Sequence, residues 1–184
     1  MTLYTRVSYW LTPDPRTVSV LHELIEHLAE RYSGPVFTPH LSVCVGSFQT
    51  TEEAQHALTQ LVVNFPAPSL TFSSVRFEEQ FIRSCYIELN SHPVLSSISS
   101  QLSSQLPEAE NYHLEPHISL FYGKLSEQAK VEIAVEVEKL DKFYLTQIVA
   151  NATPPVHASA KDIERWYELA SLPLPSPIAC SRQR

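Results

Sequence analysis

Two eight-residue stretches of this chain are near copies of each other. Pro39-His40-Leu41-Ser42-Val43-Cys44-Val45-Gly46 is answered 77 residues later by Pro116-His117-Ile118-Ser119-Leu120-Phe121-Tyr122-Gly123. Pro, His, Ser and Gly hold the same places, and the residues after His and after Ser are aliphatic both times. Each stretch is apolar, β-branched or aromatic, with Pro at its start, where a strand tolerates a missing N–H. Residues two apart on a strand share a face. His40 and Ser42 therefore project together, as do His117 and Ser119, while their aliphatic neighbours point into apolar surroundings. Two imidazoles brought face to face can be the acid and base of one reaction, and two hydroxyls beside them can hold phosphate oxygens.

The rest of the chain reads as alternating strands and helices. A strand over residues 4–11 ends at Pro13-Asp14-Pro15 and leads into a helix with Val18, Leu21, Leu24, Ile25, Leu28, Ala29 and Tyr32 on one side. Ser33-Gly34-Pro35 stops it, and residues 36–46 carry the first motif. Thr50 with Glu53 fits a capping box for a second helix, broken at Pro66-Ala67-Pro68. Strands over about 70–77 and 81–89 follow, joined at Glu78-Glu79-Gln80. A Ser-rich helix near 93–106, the second motif strand at 114–122, a helix from Ser126 that includes Leu140, and strands near 143–150 and 165–172 complete the count. The pattern predicts an α+β fold in which two small antiparallel sheets face each other across a central cleft, with helices outside. Residues 1–172 form one bilobal domain in this reading, and 173–184 a loose tail.

Bulk properties narrow the function. The 184-residue chain has a formal net charge of −7, which argues against a grip on long nucleic acid. No apolar run approaches the ~20 residues that span a bilayer, and no secretory leader is evident. Cys44, Cys85 and Cys180 have no C-x-x-C spacing, so reduced thiols in a cytoplasmic protein are expected. On a regular strand Cys44 shares the face of His40 and Ser42, which raises a Cys/His pair. Parallel side chains on one strand are poorly placed for one to deprotonate the other.

Two H-x-S motifs on well-separated strands resemble those of the 2H phosphoesterases, most of all the cyclic nucleotide phosphodiesterases. The resemblance also takes in the opening strand Val7-Ser8-Tyr9-Trp10-Leu11-Thr12-Pro13 and the helix after it, and covers residues 1 to 172. It implies a metal-independent, cofactor-free hydrolase with His40 and His117 as catalytic pair and Ser42 and Ser119 as phosphate clamps. It implies a substrate such as a nucleoside 2′,3′-cyclic phosphate or ADP-ribose 1″,2″-cyclic phosphate; a monomer is expected. It extends a substrate-binding role to Tyr122, although strict alternation puts Tyr122 opposite His117, and places Trp10 near the cleft.

Other candidates come from the residues themselves. Arg83 is the lone cation in the apolar run Phe81 to Leu89 and could reach phosphate or point to water. Glu115 could orient the His117 ring or face solvent. Two histidines and hydroxyls with no carboxylate at motif spacing make a poor Zn²⁺ set. His22, His27, His56, His92 and His157 read as ordinary, and His113 as rim or surface. Two rival functions stay in view: action on 2′,5′-linked RNA, disfavoured by the acidic charge, and a binding module that kept the cleft.

Overall fold

The computed structural model describes residues 5–48, 50–106, 109, 112–137 and 141–176. The chain runs β1 (Thr5–Pro13), α1 (Pro15–Tyr32), β2 (Leu41–Phe48), α2 (Thr51–Asn64), β3 (Ser69–Arg76), a 3₁₀ turn at Phe81–Arg83 and β4 (Cys85–Leu89). Then come α3 (Pro93–Ser103), β5 (His117–Phe121), α4 (Glu127–Val137), β6 (Lys142–Ala152), α5 (Ala160–Ile163) and β7 (Tyr167–Pro173). All strand pairings are antiparallel, and the expected α+β architecture is present, although the two expected sheets are linked into one seven-stranded sheet. One sheet is β2-β1-β6-β7 and the other β3-β4-β5. They are joined where Ser69–Thr71 of β3 pair with residues 142–144 at the start of β6. The motif strands β2 and β5 are the outer members of the two sheets.

Helices begin where side chains satisfy their first amides. The Asp14 carboxylate accepts from the Arg16 and Thr17 amides, and the Thr50 hydroxyl accepts from the Glu53 amide. α1 buries Leu21, Ile25, Leu28 and Ala29 and packs on β5, while α3 packs on β2. Each motif strand is thus backed by the helix that belongs, in chain order, to the other β-α-β unit. That crossing ties the two halves together. Among the described residues no helix is long and apolar enough to cross a membrane.

Several boundaries differ from the sequence expectation. The first motif strand starts at Leu41 rather than at 36, and the second runs only from His117 to Phe121. The run expected as strand from 81 opens instead with the 3₁₀ turn. The Arg83 amide donates to the Gln80 carbonyl, and the Ser84 hydroxyl to the carbonyls of Phe81 and Phe121. The tail expected from Pro173 is packed as far as Pro175. The Leu174 amide donates to Thr146, and the Pro175 carbonyl accepts from Ala67. Residues 177–184, with Cys180, lie outside the described residues, as does Leu140.

The strand pairing holds two irregularities that shape the cleft. Along β2, Trp10 pairs with Ser42 and Tyr9 with Cys44, so Val43 is an extra residue. Along β5, Tyr86 pairs with Ser119 and Cys85 with Phe121, so Leu120 is extra. Each motif strand therefore carries a β-bulge directly after its serine, which resets the alternation of faces. Past the bulge the β5 chain ends in Gly123, with φ of 147°, a value reserved for glycine.

Gly34, after the C-cap of α1, packs against this segment. A Cβ there would collide with the Phe121 ring and lie 2.9 Å from the Tyr122 carbonyl oxygen. Gly34→Ala is expected to cost about 1–3 kcal/mol, the usual range for overpacking. Urea unfolding of the variant checks this, and an unchanged midpoint would contradict the packing.

Candidate active site

His40 immediately precedes β2 and His117 opens β5. The two rings are held the same way. Nδ1 of His40 lies 2.7 Å from the Thr38 carbonyl oxygen, and Nδ1 of His117 lies 2.6 Å from that of Glu115. A carbonyl can only accept, so each Nδ1 carries the proton and donates. Nε2 is left as the ring nitrogen with a free lone pair. Both rings line one cavity of about 270 Å³. They are close enough that the charge of His117 helps disfavour the protonated form of His40.

The same cavity is lined by Ser42, Ser119, Tyr122, Trp10 and Arg83, so the fold brings every candidate from the sequence to one place. The bulges explain how. After Ser42, the extra Val43 turns Cys44 into the core and returns Val45 to the cavity wall. After Ser119, the extra Leu120 does the same, burying Phe121 and returning Tyr122. Tyr122 reaches the cleft despite its odd spacing from His117 because the strand is not regular. Cys44 leaves the histidine face for the same reason. Its thiol instead lies 3.8 Å from the Ser103 hydroxyl, and burial pushes its pKa up to about 11. That removes the Cys/His pair.

The two histidines sit in unlike surroundings. His40 is 7% exposed and stacks on Trp10 with ring centroids 3.7 Å apart, while Trp166 meets it edge-on. Burial drives its pKa down to about 4, against the pull of the Thr38 carbonyl. His117 is less enclosed, and Tyr86 contacts it edge-on at 5.0 Å. Burial first, then the Arg83 charge, lowers its pKa, while Glu115 and Glu78 work in the opposite sense. The carboxylates of Glu78 and Glu115 both hold Arg83, as does the Tyr86 hydroxyl. Arg83 is thus at the cleft but already charge-balanced. Glu115 orients His117 through its backbone carbonyl, and its carboxylate stays with Arg83, which holds it below the usual carboxylate range.

Trp10 offers the site little open surface, because one ring face is covered by His40 and its indole N–H donates to Ser8 Oγ at 2.6 Å. Ser119 donates to the Ile82 carbonyl at 3.4 Å and shares a hydrogen bond with Tyr122. Tyr122 stacks on Phe37, centroids 4.0 Å apart. Tyr112 fixes the Ser42 segment by donating to its carbonyl at 2.8 Å. His113 is exposed on the rim. Among the described residues no three His, Cys, Asp or Glu side chains cluster as a metal set.

Comparison with known proteins identifies the family. The profile of the family described as cyclic phosphodiesterase-like protein matches residues 5–172.

The chain belongs to this family, and with it to the 2H phosphoesterases.

It is a hydrolase of the phosphodiesterase class. A relative from Arabidopsis thaliana named cyclic phosphodiesterase is 25% identical over 169 residues, 89% of this chain and 92% of that protein. A Kluyveromyces lactis protein named 2′,3′-cyclic-nucleotide 3′-phosphodiesterase is 23% identical over 159 residues, 75% of this chain and 74% of its own. Among solved structures, E. coli LigT complexed with 3′-AMP shares the fold with a TM-score of 0.56 at 16% identity. That match covers 95% of this chain and all of LigT. TT0787 of Thermus thermophilus gives 0.60 at 10% identity, over 94% and 99% of the two chains.

Sequence reasoning missed part of the cleft of this family member. His157, read as ordinary, lines the cavity, and so do Trp166, Thr153, Ser8 and Arg6. Ser8 and Arg6 were findable by stepping back in twos from Trp10. His157 and Trp166 carry no local signal, since they arrive from either side of the short α5.

The buried His40 predicts a pH dependence of folding. Its pKa falls from 6.5 in the unfolded chain to about 4 in the folded one, so the unfolded state takes up a proton first as pH drops. The associated stability, about 3 kcal/mol, is complete above pH 6.5 and is lost on the way down to 4. Urea unfolding at pH 7 and at pH 4.5 should show a decline larger in wild type than in His40→Asn by about 2–3 kcal/mol. Equal declines would mean that the ring is not sealed off.

Proposed function

We propose that this protein opens small cyclic phosphates by hydrolysis, with His40 as general base and His117 as general acid. The observation that carries the reading is the pair of imidazoles on one small cavity, each with Nδ1 tied to a carbonyl and Nε2 free. Nucleoside 2′,3′-cyclic phosphates, opened to 2′-phosphates, and ADP-ribose 1″,2″-cyclic phosphate are the substrates in view. The names of the relatives from Arabidopsis thaliana and Kluyveromyces lactis support that class.

Water attacks phosphorus in line with the departing ester oxygen, gives its proton to His40 Nε2, and the ring oxygen leaves with a proton from His117 Nε2. The phosphorus–oxygen bond to the leaving hydroxyl breaks as the bond to water forms, and solvent exchange resets both rings. His40, held neutral by burial, suits the base. Burial also lowers the pKa of His117, but His117 is less enclosed than His40 and the Glu115 and Glu78 carboxylates partly offset that burial, so it suits the acid. Ser42 and Ser119 donate to the non-bridging oxygens, and Tyr122 braces Ser119. Arg83, paired with Glu78 and Glu115, acts on the substrate through His117 rather than by binding it. The cavity of about 270 Å³ suits one nucleotide better than a strand of RNA, and so does the net charge of −7.

His40→Ala and His117→Ala should each lower kcat by ~10²–10⁴ on adenosine 2′,3′-cyclic phosphate, the usual worth of one acid or base. An aryl diester such as a nucleoside p-nitrophenyl phosphate, whose leaving group needs no proton, separates the roles. His117→Ala should recover most of its rate on that substrate and His40→Ala should not. The reverse pattern would exchange the assignments, and folded variants with wild-type rates would refute both. Activity should survive prolonged EDTA treatment, because the residues at the cleft offer no metal ligand set. Loss on chelation and return with Zn²⁺ would overturn the acid–base account.

The wild-type kcat/KM should trace a bell against pH. It rises as His40 loses its proton near pH 4 and falls as His117 loses its own below 6.5, so the maximum lies on the acid side of 6.5. A profile still climbing above pH 7 would contradict the burial of both rings.

A further inference from the structure

The two histidines are aimed by different means. His40 is held between rings, with Trp10 stacked on it and Trp166 edge-on. His117 has more room. Besides the cleft, it borders a second cavity of about 680 Å³, shared with Glu78, Arg83, Tyr86, Glu88 and Glu115. The bond from Nδ1 to the Glu115 carbonyl is a single restraint on a side chain that turns about both χ1 and χ2. A ring turned toward the second cavity would carry Nε2 away from the leaving oxygen.

Tyr86 opposes that rotation. It lies on β4 opposite Ser119, is only 6% exposed, and meets the His117 ring at an angle with centroids 5.0 Å apart. The tyrosine is in turn fixed at its far end. Its hydroxyl donates to Glu78 Oε1 at 2.5 Å and accepts from Arg83 Nη2 at 3.0 Å. The same Nη2 donates to Glu78 at 2.8 Å, which closes a ring of three groups. Burial and the Glu78 bond raise the Tyr86 pKa, so the hydroxyl keeps the proton it donates.

The other restraint on His117 leads back to the same guanidinium. Arg83 Nη1 donates to the carboxylate of Glu115, whose backbone carbonyl anchors Nδ1. Glu78 lies beyond the end of β3, Arg83 in the 3₁₀ turn, Tyr86 on β4 and Glu115 just before β5. Four separate segments therefore converge on one imidazole. Glu88, the register partner of His117, is not among them, because Ser74 and Arg76 hold its carboxylate. Linked polar groups of this kind fix one another's geometry more firmly than a lone pair does.

We propose that Tyr86 and Glu78 are positioning residues for the acid step, keeping His117 turned into the cleft with Nε2 toward the leaving oxygen. The proposal rests on the acid role given to His117 above. Without this clasp the ring divides its time between the cleft and the second cavity, and fewer encounters with substrate are productive.

Tyr86→Phe keeps the ring and removes the hydroxyl, while Glu78→Gln keeps the shape and removes the charge. Each should lower kcat on adenosine 2′,3′-cyclic phosphate by about tenfold, part of the ~10²–10⁴ that the acid itself is worth, with KM little changed. On the nucleoside p-nitrophenyl diester, whose leaving group needs no proton, both variants should keep nearly the wild-type rate. The charged and titratable groups facing His117 are Glu78, Glu115, Arg83, Tyr86 and, across the cleft, His40. Removing the Glu78 charge leaves Arg83 less compensated, so the basic limb of kcat/KM should move to lower pH in Glu78→Gln. Tyr86→Phe removes no charge and should leave that limb in place. Equal losses on both substrates would show a merely structural role, and wild-type kcat on both would show none; either overturns the proposal. If wild type hydrolyses neither substrate, the acid role falls, and NMR of the His117 ring judges the clasp alone. Its titration midpoint should drop in Glu78→Gln, and its Nδ1 proton should exchange faster with water in Tyr86→Phe. An unchanged midpoint and unchanged exchange would overturn the clasp as well.

Discussion

A strand that alternates strictly cannot place His, Ser and a residue three beyond Ser on one face. Both motif strands escape that limit by inserting a single residue after the serine, Val43 in one and Leu120 in the other. The extra residue costs one rung of the ladder and turns two consecutive side chains into the core. It is why Val45 and Tyr122 occupy matching places on the cavity wall, and why Cys44 and Phe121 are both buried. The polar lining of the cleft and the apolar packing behind it are set by these two insertions. Gly34 and the 3₁₀ turn at Phe81–Arg83 then serve to hold the bulged end of β5 in place.

Equivalent bulges do not make equivalent histidines. Each ring is tied by Nδ1 to the carbonyl two residues back, so orientation and tautomer are shared. The difference lies in what packs around them. Trp10 and Trp166 seal His40, and loss of hydration keeps it neutral. Around His117 the neighbours are Tyr86 and a cluster in which Arg83 is shared by two carboxylates. There the opposing charges work against each other, and burial sets the direction. A duplicated strand frame with unlike surroundings is a direct route to two imidazoles with different proton affinities.

The chain is acidic overall, yet its cleft is lined by donors. Net acidity disfavours a broad anionic ligand such as duplex nucleic acid. The cavity wall carries hydroxyls and rings where His40 and His117 meet, and Arg6 and His157 also lie on it.

Much of this was legible in the residues. The repeated Pro-His-Φ-Ser frame singled out the histidine pair and the two hydroxyls, since identical chemistry in identical strand phase is rarely accidental. The helical spacing from Val18 to Tyr32 and the capping residues Asp14 and Thr50 marked elements that the fold contains. What stayed hidden was whatever depends on partners distant in sequence. A bulge is defined by the opposing strand, so neither the return of Tyr122 nor the departure of Cys44 could be read from β-alternation alone. Arg83 looked like a free cation because Glu115, one of its two carboxylate partners, lies 32 residues away, and because Glu78, five residues away, is its partner on a stretch where the turn at Phe81–Arg83 interrupts the expected strand. His157 and Trp166 joined the site only because β6 and β7 pair and bring the α5 connection over the cleft. Local sequence determined which groups could do the chemistry; the pairing of distant strands decided which way they face, how deeply each is buried, and therefore what each can do.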